Sequence, residues 1–154
     1  SNIVYLFQPY YNNITKRAVK TPKLYFLDTG LAAYLTKWNT TDVLKNGAMA
    51  GAFFETFVVS EIIKSYYNRG ILELPIYFYR DKDMREIDLL IEDGGVLYPL
   101  EMKKHADPSK KDIDAFSVLD KIPGVKRGSG GVICLYDKLI TLQGDDKIIP
   151  INYL

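Results

Sequence analysis

Glu86-Ile87-Asp88 and Glu101-Met102-Lys103 are the segments of this sequence best suited to chemistry. Each places two charged residues two positions apart, the spacing that puts side chains on one face of a β-strand. Between them, apolar-rich runs flank Glu92-Asp93-Gly94-Gly95, a strong hairpin signal. If Gly94-Gly95 are the central turn residues, Asp93 pairs with Val96, Asp88 lies opposite Glu101 and Glu86 opposite Lys103. If Asp93-Gly94 are central, every residue slips by two and the four charges still share a face. Either turn predicts a cluster of Glu86, Asp88, Glu101 and Lys103. Directly opposed carboxylates repel, and a hard divalent cation between them is the usual remedy.

A second carboxylate stands out on a helix. Residues 48–68 carry helical periodicity, stopped by Gly70. At about 100° per residue, Ala48, Gly51, Ala52, Val58, Val59, Ile62 and Tyr66 gather around Glu55. Glu55 is therefore expected near the middle of the buried stripe, with Glu61 pointing away beside Lys64 and Asn68. A buried carboxylate costs several kcal/mol unless it finds a cation, a donor or a metal. A buried Arg, Tyr or backbone amide would serve as well as a metal.

The elements that must position these residues follow from pattern. Ile3–Phe7 and Lys23–Leu27 read as strands, and Asp28-Thr29 caps a helix over 30–35. Between the strands, an Asn12-Asn13 turn precedes the basic group Lys16, Arg17 and Lys20. A short helical turn is expected near Val43-Leu44. Leu74–Arg80 is a strand entered at Pro75, and Asp81-Lys82-Asp83 a turn. Asp107-Pro108-Ser109 starts a helix to about Leu119, with Ile113, Phe116 and Leu119 on its apolar side. After a loop rich in Gly, Lys and Arg, Gly131–Tyr136 is a continuous apolar strand. Short strands at 139–142 and 148–153 close the chain.

Composition narrows the classes. The chain has 154 residues, 47% hydrophobic and 25% charged, with a formal net charge of +1; this is one domain with a real core and no overall basic field. One cysteine, Cys134, excludes an internal disulfide framework and a cysteine-rich zinc site. His105 is the sole histidine, so no Ser-His-Asp constellation arises; it is expected exposed at the end of a strand. Nothing matches a P-loop, and Gly128-Ser129-Gly130-Gly131 lacks its lysine and following helix. The apolar runs fall far short of a membrane span.

From Ala48 the order is helix, three strands, helix, strand, with Glu55 on the first helix, Asp88 on the second strand and Glu101-x-Lys103 on the third. That arrangement resembles the PD-(D/E)XK nucleases. The resemblance implies an α/β fold with a restriction-endonuclease-like core (helix, three-stranded meander, helix, strand) over residues 48–154. An N-terminal strand-helix extension would span 1–47. Ile87 stands where the family has a proline before the aspartate.

A closer resemblance covers almost the whole chain. Residues 23–35 (Lys-Leu-Tyr-Phe-Leu-Asp-Thr-Gly-Leu-Ala-Ala-Tyr-Leu), 51–61, Tyr79-Arg80, Glu86-Ile87-Asp88 and Glu101-Met102-Lys103 are similar to a prokaryotic domain of unknown function, the 4143 type. That domain typically follows an AAA-type P-loop ATPase in one polypeptide. The resemblance therefore implies a cytoplasmic partner ATPase upstream of Ser1, in keeping with the absent initiator Met.

Two functions follow as expectations. In the first, Asp88 and Glu101 hold Mg²⁺ or Mn²⁺ with the Met102 backbone carbonyl, and Glu55 binds a second ion or its waters. Lys103 orients the attacking water or offsets charge on a phosphorane. Nucleic acid is the substrate, contacted by Lys104, Lys110 and Lys111 or by Lys126 and Arg127. In the second, the acids and Lys103 form a buried ion-pair network in a non-catalytic module that recognises nucleic acid or a protein.

Overall fold

The computed structural model describes residues 3–11, 21–38, 40, 42 and 46–154. The Asn12-Asn13 turn, the Lys16, Arg17 and Lys20 group, and the turn at Val43-Leu44 lie outside the described residues. The described residues gather into two compact units. One contains residues 3–6, 24–38, 40, 42, 46–74 and Leu154; the other contains 7–11, 21–23 and 75–153.

Strands β1 (Val4–Phe7) and β2 (Lys23–Phe26) form a two-stranded sheet whose residues fall in the first unit except Phe7 and Lys23, which belong to the second. Asp28 then caps helix α1 (Thr29–Leu35), accepting the Leu31 N–H at 3.0 Å. Trp38, past the end of α1, stacks on Phe53 with ring centroids 5.6 Å apart. Phe53 belongs to helix α2 (Ala50–Asn68). Gly70, at φ 76°, takes the left-handed conformation that stops such a helix. Val58, Val59, Ile62 and Ile63 are buried on α2, whereas Gly51, Ala52 and the last turn are exposed, so apart from Ala50 the buried stripe is confined to 58–63 and Glu55 lies outside it.

The second unit is built on a mixed sheet. Strands β3 (Ile76–Arg80), β4 (Glu86–Asp93) and β5 (Val96–Lys103) form an antiparallel meander. Parallel to β5 runs β7 (Gly131–Cys134), and parallel to β7 runs β9 (Asp146–Pro150). Strand β8 (Ile140–Gln143) closes antiparallel on β9. A two-residue strand, β6 (Lys126–Arg127), pairs with the start of β5 inside what sequence pattern reads as loop. All four residues of β7 are buried, as a strand flanked by parallel neighbours requires.

The segment after Ser109 is a 3₁₀ helix over Lys110–Lys121 rather than an α-helix. Its apolar residues Ile113, Phe116 and Leu119 recur every third position, which suits three residues per turn. All three join the core with Ile87, Leu90, Leu97, Val132 and Cys134. The glycine cluster before β7 is explained by packing: a Cβ on Gly130 would lie 2.5 Å from the Pro99 carbonyl oxygen and 2.6 Å from the Phe116 ring. At the C-terminus the last strand ends at Pro150, which has no N–H for the ladder, and 151–153 form a 3₁₀ turn. Among the described residues no helix is long and apolar enough to cross a membrane.

Candidate functional site

The hairpin adopts the Gly-Gly register. Asp93 pairs with Val96, and the pairing runs back to Leu89 opposite Leu100. Gly94 and Gly95 have φ of 56° and 79°, the pair of positive values that a type I′ turn needs. On the other side of β4, Tyr77 pairs with Leu90 but Tyr79 pairs with Ile87. Phe78 therefore faces two residues, Asp88 and Leu89, and β4 is bulged there. Such bulges re-aim a side chain. Strict alternation fails at this point: Ile87 and Leu90, three apart, enter the same core cluster.

Asp88, in the bulge, has its Oδ2 accept the Met102 N–H at 2.8 Å. The Met102 side chain is buried, as expected of the spacer between Glu101 and Lys103. Lys103 Nζ lies 2.9 Å from Glu101 Oε2 and 3.9 Å from Asp88 Oδ2. Asp88, Glu101 and Lys103 thus come together. Glu101 is 4% exposed, and its Oε1 has no hydrogen-bond partner among the described residues.

The electrostatics follow from that burial. Loss of solvent, then the charge of Asp88, pushes the Glu101 carboxyl up to about 8, against the attraction of Lys103. Burial disfavours the Lys103 ammonium, but Glu101 and Asp88 outweigh it and push its pKa above the usual lysine value. The carboxyl pair thus holds one proton at neutral pH, a property of the pair more than of one residue.

Glu86 is placed differently from the sequence expectation. One of its carboxylate oxygens lies within 4.8 Å of one of Asp88, but its ion pairs are with Lys23 and Arg80 instead of Lys103. Arg80 Nε donates to Glu86 Oε2 at 2.7 Å, and Lys23 Nζ donates to Oε1. Burial pushes Glu86 up, yet the hydrogen bonds from Arg80 and Lys23 outweigh it and hold the carboxyl below its usual range. Both cations also lie over the Phe78 ring, 5.0 and 5.8 Å from its centroid. Arg80 was legible as the cross-strand partner of Glu86 across a tight turn. Lys23 was not, since 63 residues separate it from Glu86.

In the other unit, Glu55 is half-buried, and its Oε1 accepts the hydroxyl of Tyr25. His105 is half-buried, with Nε2 3.6 Å from Asp112 Oδ1. The other oxygen of Asp112 accepts the Ser109 N–H at 2.7 Å. Pattern reading did not single out Asp81 either. It is 1% exposed and accepts from the Asp83 and Arg85 amides at 2.9 and 3.0 Å, which locks the β3–β4 turn.

The arrangement defines a mixed α/β protein whose central hairpin gathers two carboxyl groups and a lysine at a bulged strand. The chain belongs to the family described as Domain of unknown function (DUF4143), which matches residues 50–154. Residues 1–42 match a second family, Domain of unknown function (DUF8612). An uncharacterised protein of Mycobacterium bovis and one of Mycobacterium tuberculosis are each 31% identical to the chain over 107 residues. The match covers 70% of this chain but 23% of each relative, so the chain spans about a quarter of their length.

Proposed function

We propose that this chain is a nuclease-like domain of a longer protein, with Asp88, Glu101 and Lys103 as the site of metal-dependent phosphodiester chemistry on nucleic acid. One observation carries the reading: a nearly buried Glu101, 4% exposed, meets a second carboxyl group and an ammonium, with Lys103 Nζ 2.9 Å from Glu101 Oε2 and 3.9 Å from Asp88 Oδ2. A stability-driven core would avoid crowding two carboxyl groups out of water. The element order also supports it, with a three-stranded meander, a helical segment and a strand parallel to the last of the three.

The residues present fit a hard divalent cation. Asp88 and Glu101 offer carboxylate oxygens and Met102 a backbone carbonyl, a donor set that suits Mg²⁺ or Mn²⁺ over softer ions. Such an ion, when bound, supplies Lewis-acid polarisation of a phosphodiester and a more acidic water. The chain's own residues do the rest. The Met102 amide fixes the Asp88 carboxylate. Glu101, whose carboxyl is raised to about 8, would have to release its proton to serve as a ligand. Lys103, charged and half-exposed, presents donors where negative charge grows on the phosphoryl oxygens. Glu55 enters on the family resemblance alone, and Glu55→Gln tests it separately by cleavage rate. On the same resemblance an AAA-type ATPase precedes the chain, and the length of the mycobacterial relatives leaves room for one.

The test is Mn²⁺- or Mg²⁺-dependent cleavage of linear, branched and single-stranded DNA. Lys103→Ala should abolish cutting while sparing metal binding. A second reading, a non-catalytic recognition module for nucleic acid or protein, is favoured by the 2.9 Å Lys103–Glu101 pair, which by itself is a satisfied ion pair. Binding of DNA without cleavage under any metal would select it.

A further inference from the structure

Glu86 is a third carboxylate beside the site, and no step above uses it. It lies within 4.8 Å of Asp88, close enough to add its charge to whatever Asp88 binds. Two cations from different parts of the chain, Lys23 on β2 and Arg80 on β3, both pair with it. The ring of Phe78 lies under both cations, and Phe78 is the residue opposite the Asp88 bulge. Asp88 thus has Glu101 and Lys103 near it on β5, and Glu86 with its two cations near it on β4.

We infer that Lys23 and Arg80 make Glu86 a positioning residue. They draw its carboxylate into their own pair of bonds, so that a divalent cation at Asp88 and Glu101 meets two available carboxylates instead of three. This rests on the metal-dependent reading of the site. The arrangement sets metal affinity below what three acids would give, and it spares the site an excess of negative charge against a phosphodiester.

The test is the Mn²⁺ concentration giving half-maximal thermal stabilisation, measured in the intact chain. Lys23→Met should lower it, tightening binding on the order of threefold or more, because a nearby positive charge is lost. Glu86→Gln should shift it in the opposite direction by a similar factor. The double variant should return close to wild type, and Lys23→Arg should behave as wild type. A pair that served stability alone, without electrostatic reach to the metal, would leave all the midpoints equal. If Lys23→Met loses stability too far to titrate, Arg80→Gln carries the same expectation. Equal midpoints in wild type, Lys23→Met and Glu86→Gln overturn this inference and leave the metal site standing. A wild type that Mn²⁺ does not stabilise overturns both.

Discussion

The Asp88 carboxylate accepts the backbone N–H of Met102 at 2.8 Å, across the two strands of the hairpin. A side chain here takes an amide proton in place of a ladder carbonyl, and it does so where β4 is bulged. The bond holds Asp88 beside Glu101 and Lys103. The bulge lets Ile87 and Leu90 both stay in the core while Asp88 does not.

Metal binding should compete with a proton. Because the carboxyl pair keeps a proton up to about pH 8, the rise in Tm caused by Mn²⁺ or Mg²⁺ should be larger at pH 8.5 than at pH 6. Asp88→Ala should remove the shift at both pH values, and chelator should reverse it in wild type. Differential scanning fluorimetry across metal concentrations reads all of this.

Stability without metal should fall as pH rises. The folded Glu101 carboxyl, at about 8, binds its proton more tightly than at the ordinary 4.5 of an unfolded chain. Its contribution is fully present below pH 4.5 and is lost as pH rises through 8. The slope for one proton is at most about 1.4 kcal/mol per pH unit. Glu101→Gln, which cannot ionise, should flatten the profile and be the more stable protein at pH 8.5. Urea melts of both proteins from pH 5 to 9 give the comparison; parallel curves would deny Glu101 this role.

Lys103→Ala should cost folding stability as well as cleavage. It leaves two acids without their common partner, one of them 4% exposed. Since Lys103 is half-exposed, about 1–2 kcal/mol is expected, below the cost of breaking a fully buried pair. Glu101→Gln in the same background should recover part of the loss, because it replaces the second carboxyl group with an amide that can donate to Asp88. A chemical-denaturation double-mutant cycle measures the coupling.

Gly95→Ala should destabilise the protein by about 1 kcal/mol through the backbone alone. The residue sits at φ 79°, and an added Cβ meets nothing within 4 Å. Gly95→Asn, which tolerates the left-handed region better, should cost less. Equal losses for Ala and Asn, by thermal melt, would place the cost elsewhere than in the turn dihedral.

The site was largely legible because its information is local. Glu-Ile-Asp, a Gly-Gly turn and Glu-Met-Lys lie on one hairpin, and the two-residue period of a strand decides which side chains meet. That both candidate turns keep the charges on one face made the cluster robust to the choice between them. The Asp28 cap was legible for the same reason, since its bond spans three residues. The 3₁₀ character of 110–121 was not legible because apolar residues three apart, such as Ile113, Phe116 and Leu119, also fit one face of an α-helix.

Sequence alone brought Asp88, Glu101 and Lys103 together, because strand periodicity and turn chemistry act over a few residues, but it also set Glu86 against Lys103, where the fold pairs it with Lys23 and Arg80. Tertiary structure decided how charge is shared there. Lys23 reaches Glu86 across 63 residues, and burial sets the proton on Glu101. Both depend on which distant side chains exclude water and which bring charge, and no short-range pattern encodes that.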